Sequence, residues 1–200
     1  DRTAKLWSAD SGECLRTLQG HRGALHSAAF APDGHRLLTA SGDRTAKLWS
    51  ADSGECLRTL QGHRAPLSSA AFAPDGHRLL TASGDRTAKL WSADSGECLR
   101  TLQGHRGALH SAAFAPDGLR LLTASTDRTA KLWSADSGEC LRTFEGHRGA
   151  LQSAAFAPDG LRLLTASVDR TAKLWSADSG ECLRTLQGHR GALWSASFAP

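Results

Sequence analysis

Residues 1–42 read DRTAKLWSADSGECLRTLQGHRGALHSAAFAPDGHRLLTASG, and the same stretch restarts at Asp43, Asp85, Asp127 and Asp169 without an insertion or deletion. Self-similarity at a fixed period marks an architecture in which each unit buries its apolar face against the next copy. The chain therefore reads as one array over 1–200. Complete repeats occupy 1–42, 43–84, 85–126 and 127–168, and a truncated fifth occupies 169–200.

Inside each copy the apolar residues alternate over short runs, and turn-forming clusters separate the runs, a pattern of strands and not of helices. The first copy predicts strands over 3–9, 14–19, 24–31 and 36–41. Between them lie Asp10-Ser11-Gly12, Gly20-His21-Arg22-Gly23, Pro32-Asp33-Gly34 and the corner at Gly42-Asp43-Arg44. A helical repeat would need two runs of roughly 10 residues or more with a period of 3.6, and glycine or proline interrupts the chain too often for that. A four-stranded meander cannot cover both of its faces, so identical sheets must stack. Radial stacking gives an all-β fold, a β-propeller of four-stranded antiparallel blades with a 42-residue repeat. The small residues Ser27, Ala28 and Ala29 suit the crowded innermost strand, and Arg16 suits the roomy outer one.

Gly20-His21, Pro32-Asp33-Gly34, the Ser-x-Asp at 41–43 and Trp49 resemble the WD-repeat β-propeller family, in register in every copy. Each tryptophan at 7, 49, 91, 133 and 175 is followed by Ser, where the family often has Asp. The resemblance implies a hydrogen-bonded clasp of His, Ser or Thr, Asp and Trp. Carried over, that is His21, Thr39 or Ser41, Asp43 and Trp49; then His63, Thr81 or Ser83, Asp85 and Trp91; then His105, Thr123 or Ser125, Asp127 and Trp133. Histidine, carboxylate and hydroxyl together suggest a catalytic triad, but the same set recurs in every complete copy, as a structural clasp requires. No other residues form a unique acid, base and nucleophile, so a noncatalytic module without cofactor or metal is expected.

Because the copies are so alike, their differences carry information. One column reads His26, Ser68, His110, Gln152 and Trp194, and the column before the turn aspartate reads Gly42, Gly84, Thr126 and Val168. Both lie at strand ends beside the Gly-His and Asp turns. A Ser-to-Trp exchange in a packed core would cost kilocalories, so the first column must face solvent or the central channel. With Arg22 and Arg44 these columns form the candidate ligand-binding rim, and the resemblance implies peptide binding on that face. Trp194 is the natural anchor. His35 and His77 alternate with Leu119 and Leu161 on the opposite rim, where they read as tolerated surface changes, and no functional argument attaches to Phe144 or Glu145.

The net charge of +4 accrues in small increments and contains no basic run. Arginine at 22 and 44 makes the reading rim basic, while Asp10, Glu13 and Asp33 make the other rim acidic. Acidic peptides or phosphorylated partners fit the basic rim. Nucleic acid is the runner-up, lacking a continuous Lys/Arg stripe with interleaved aromatics, and a consensus-like design with no natural ligand is a further alternative. Nothing approaches a membrane-spanning helix. The cysteines, one per copy at 14, 56, 98, 140 and 182, are expected to be buried, reduced and structural, which points to the cytoplasm. Both chain ends look cut. Four strands in each of four copies and three in the fifth fall one short of a five-bladed ring, so further repeats or a homo-oligomer are expected to complete it.

Overall fold

The computed structural model describes residues 1–199. Strands β1 (Ala4–Trp7) and β2 (Cys14–Leu18) form a two-stranded sheet. Four antiparallel four-stranded sheets follow. The first holds β3 (Leu25–Phe30), β4 (Arg36–Ser41), β5 (Ala46–Ser50) and β6 (Cys56–Leu60), and the second β7 (Leu67–Phe72), β8 (Arg78–Ser83), β9 (Ala88–Ser92) and β10 (Cys98–Leu102). The third holds β11 (Leu109–Phe114), β12 (Arg120–Ser125), β13 (Ala130–Ser134) and β14 (Cys140–Phe144), and the fourth β15 (Leu151–Phe156), β16 (Arg162–Ser167), β17 (Ala172–Ser176) and β18 (Cys182–Leu186). Each blade therefore straddles two copies of the sequence, taking its inner strands from one and its outer strands from the next.

First strands of neighbouring blades touch one another, β3 with β7, β7 with β11 and β11 with β15, which sets the blades around a common axis. The core lies between blades. Leu38, Ala40, Ala46, Leu48 and Leu60 of the first blade pack on Leu67, Ala70, Leu79, Trp91 and Ala93 of the second, and the same residue types repeat at the next interface. Burying a leucine or tryptophan contributes roughly 1.5–3 kcal/mol, so each interface supplies what one sheet alone cannot. Phe144, which replaces a leucine, packs edge-on against Trp175 with ring centroids 5.7 Å apart. Trp7 shows the same logic in reverse. No sheet precedes it in these residues, and it is 55% exposed where Trp91 is 2% exposed.

Two expectations need correction. Residues 192–199 form no strand, because the ladder partner of an inner strand is the strand that follows it, as in Leu151↔Ser167, and these 200 residues hold none after 199. The segment is instead held by Leu193, whose N–H donates to the Ser167 carbonyl at 3.0 Å, and by Phe198 packed with Leu164 and Ala166. The cysteines are not buried: all five are free and exposed on outer strands. Those strands have no neighbour beyond them, so a small apolar side chain there meets water.

Two bulges recur. On each outer strand the register slips beside the tryptophan, as between Leu48↔Arg58 and Trp49↔Cys56, which turns Leu57 outward. On each inner strand it slips at the second residue, as between Leu109↔Ser125 and Ser111↔Ala124, leaving His110 outside the ladder. A bulge redirects the side chain it carries.

Candidate functional site

His63, at the end of the Gly-His turn, places Nδ1 2.8 Å from Asp85 Oδ2 and Nε2 2.8 Å from Thr81 Oγ1, and Trp91 Nε1–H donates to the same hydroxyl at 2.9 Å. The geometry repeats at His21–Asp43–Thr39–Trp49 and His105–Asp127–Thr123–Trp133. A fourth clasp, His147–Asp169–Thr165–Trp175, has the same distances within 0.1 Å and was legible from the same repeat. Threonine, not serine, joins the two rings. Ser41, Ser83 and Ser125 stand two residues further on, where each hydroxyl accepts the N–H of the turn aspartate at 3.1 Å. Sequence reasoning missed Thr45, Thr87, Thr129 and Thr171, each of which donates its hydroxyl to the aspartate at 2.7 Å. The signal was their place two residues after the turn aspartate.

Proton order follows from donor chemistry. An indole N–H only donates, an ionised carboxylate only accepts, and a neutral imidazole does one of each. Trp91 thus donates to Thr81, Thr81 to His63 Nε2, and His63 Nδ1–H to Asp85. Burial pushes His63, His105 and His147 below the usual imidazole value, and the hydrogen bond to aspartate offsets only part of that push. Burial also opposes ionisation of Asp85 and Asp127, but donation from Thr87 and Thr129, from the N–H of Arg64 and Arg106, and from the histidines outweighs it and holds both at about 2. Asp43 and Asp169 are lowered by the same balance. The clasp is a neutral histidine on an ionised aspartate, with no buried side-chain polar atom left unpartnered among the described residues.

Above the clasps the bulges of β3, β7, β11 and β15 turn His26, Ser68, His110 and Gln152 toward the axis. His26, Ser68, His110, Gln152 and Trp194 all line a single cavity of about 490 Å³, together with Pro66, Leu67, Gly84, Ala108 and Leu109. Ser68 Oγ donates across to the Leu109 carbonyl of the next blade at 2.6 Å. Burial lowers the His110 pKa, which favours a neutral ring able to donate or accept. Trp194 is 72% exposed at the mouth.

The second column divides. Gly84 lines the cavity, and a Cβ on Gly42 would come within 3.3 Å of His26 Nε2. Thr126 and Val168 do not line it. They fill the space beside Gly107 and Gly149, where any added Cβ would collide with their side chains. Arg22 and Arg44 are exposed outside the cavity, and their backbones are held. Arg22 N–H donates to Asp43 at 2.8 Å, and Arg44 sits in the left-handed region at φ 71, as do Arg86, Arg128 and Arg170. Among the described residues no three His, Cys, Asp or Glu side chains group as metal ligands.

The model of the family "WD domain, G-beta repeat" matches residues 12–50, 54–92, 96–134 and 138–176. WD repeat-containing protein 37 of Homo sapiens is 49% identical over 43 residues, which is 22% of this chain and 9% of that protein. Nuclear distribution protein PAC1 is 44% identical over 43 residues in Arthroderma benhamiae, again 22% and 9%, and 44% identical over 39 residues in Mycosarcoma maydis, 20% and 9%. The matched stretch spans under a tenth of each relative. Four family matches in register cover most of the described blades and carry the His, Thr, Asp and Trp of every clasp: the chain belongs to the WD-repeat family, and its sheets are β-propeller blades.

Proposed function

We propose that this chain is a noncatalytic interaction module that reads a peptide or protein ligand at the rim formed by His26, Ser68, His110, Gln152 and Trp194. One observation carries the reading: the column at which near-identical copies differ most, His26, Ser68, His110, Gln152 and Trp194, lines one cavity. The invariant clasp builds the rim, and the four bulge residues together with Trp194 give it an asymmetric lining of two imidazoles, a hydroxyl, an amide and an indole. Membership of the family supports a scaffold role in general. The exposed arginines beside the clasp turns, such as Arg22 and Arg44, favour an acidic segment through long-range attraction. Five free thiols held apart on separate outer strands support a reducing, cytoplasmic setting.

An immobilised peptide library probed with the wild-type chain and with Trp194→Ala and Gln152→Ser tests this. Gln152→Ser installs the residue that the second copy already carries at Ser68, so stability should stay within about 0.5 kcal/mol while the bound set changes. Identical bound sets for all three proteins would overturn the reading. A second reading, a nucleic-acid or phosphorylated ligand, rests on the paired rim arginines such as Arg64 and Arg86. Its signature is an affinity that falls steeply with salt and disregards sequence. Completion of the ring by further repeats or a second chain belongs to the same proposal, and solution mass tests it.

A further inference from the structure

The face opposite the reading rim carries a second surface. Phe30, Phe72, Phe114, Phe156 and Phe198, with the prolines of the adjacent turns, enclose an apolar mouth of about 690 Å³ on the axis. Around it each blade presents an inner turn and an outer turn. The two are joined in the third blade by Ala135 N–H donating to the Leu119 carbonyl at 2.9 Å and in the fourth by Ala177 N–H donating to the Leu161 carbonyl at 2.9 Å.

In the first two blades the inner turn ends in histidine. His35 Nδ1 lies 3.4 Å from the Asp52 carboxylate and His77 Nδ1 3.7 Å from that of Asp94. In the next two blades the same position is leucine, 57% exposed at Leu119 and 55% at Leu161. The exchange has two effects at once. It sets an isobutyl group in solvent three residues beyond Pro116 or Pro158, which line the mouth, and it removes the imidazole from the neighbouring carboxylate. Asp136 has no ion pair among the described residues, and Asp178 has only Arg120 at 4.0 Å. Glu139 and Glu181 add a second carboxylate to each outer turn.

The local cations are engaged elsewhere. Arg120 pairs with Asp117 at 2.8 Å and stacks over Phe156 at 5.8 Å, and Arg162 pairs with Asp159 at 2.8 Å and stacks over Phe198 at 6.0 Å. Arg100 donates to the Asp136 backbone carbonyl at 2.8 Å, and the stem of Arg142 lies against Gly180. The third-blade outer turn thus sets two carboxylates against Arg100, and the fourth sets two against Arg142 and the more distant Arg120. Half of this face sets leucine beside its outer-turn carboxylates, while the other half sets histidine beside the equivalent Asp52 and Asp94. Scattered exposed leucines are ordinary, but two in turns whose prolines line one apolar mouth, beside carboxylates without an imidazole partner, form a patch with a defined chemistry.

We propose that the sector of Leu119, Leu161 and the Phe114–Phe156 mouth docks a basic amphipathic segment of a partner protein, with aliphatic side chains entering the mouth and lysines or arginines facing Asp136, Glu139, Asp178 and Glu181. The charge of the sector selects a basic partner, and its leucines require an apolar face on that partner. This surface is independent of the reading rim.

The test is a fluorescence-anisotropy titration of a short labelled peptide alternating Leu and Lys, at pH 8 so that added imidazoles stay neutral. The double variant Leu119→His with Leu161→His restores the residues that His35 and His77 already hold in the same turns, which keeps the fold. The expected result is binding by the wild type, at least about tenfold weaker binding by the double variant, and no binding of a Leu-Glu peptide. Trp194→Ala should bind the Leu-Lys peptide as the wild type does, which separates this site from the reading rim. Absence of wild-type binding, equal affinity for the double variant, or equal binding of a Lys-Ser peptide would overturn the proposal. So would self-association in sedimentation that the double variant abolishes, since that assigns the sector to a second copy.

Discussion

At Thr123 one hydroxyl serves two buried rings, accepting from Trp133 and donating to His105. Thr123→Val keeps the shape and strands both partners. Each orphaned buried group costs about 1–3 kcal/mol, so we expect a loss of about 2–4 kcal/mol in urea unfolding, largely restored by Thr123→Ser. The clasp also sets a pH profile. His63, His105 and His147 have folded-state pKa values below 6.5, so the unfolded chain binds more protons as pH falls past that value and stability declines. Asp85 and Asp127 add a second decline between about 4 and 2, because their folded values are depressed to about 2. Thermal melts should be flat above pH 7, lower at pH 5 and lower again at pH 3. At this scale the sequence showed the clasp through its recurrence every 42 residues. It could not choose between Thr39 and Ser41, since two hydroxyls two residues apart share a strand face, and only depth beside the indole separates them. It also misplaced the cysteines, whose affinity for the interior is overridden on an outermost strand.

The element that matters most is the hairpin corner after each second strand. Arg86 adopts φ 71 there, a conformation costing a non-glycine residue roughly 1 kcal/mol or more. Arg86→Gly relieves that strain but adds chain entropy to the unfolded state, so stability should change by less than about 1 kcal/mol in either direction. The rim loses one exposed cation, and affinity for an acidic peptide should fall in a calorimetric titration. Unchanged affinity would remove this arginine from the reading rim. Strand positions were legible to within two residues, because alternation and turn residues set them locally. The inner-strand bulge was not. Leu-His-Ser-Ala-Ala-Phe reads as an unbroken strand, and only the pairing register shows that His110 steps out of it. The divergent column was thus visible, but not the device that turns it inward.

Across the whole molecule, stability resides in interfaces between like neighbours. The interface of the first and second blades and that of the second and third hold the same residue types, so removing residues 85–126 joins surfaces that still match. We expect that shortened chain to fold with the same circular-dichroism signature, less one interface's contribution to its unfolding midpoint. A shortened chain without cooperative unfolding would contradict this picture. Radial stacking was legible because one sheet has two faces to hide. The pairing partner of 192–199 was not, since periodicity says what strand type comes next and not what bonds it. The sameness of the interfaces has a further consequence, for folding. A blade emerging from the unfolded chain finds several neighbours that fit it equally well, and nothing in the packing supplies an address. Chains refolding at high concentration should therefore exchange blades with one another, while dilute chains find their neighbours by proximity alone. Most positions that differ between copies do not break this degeneracy, because they lie at the axis and the rims; Phe144, packed on Trp175 of the next blade, is the exception.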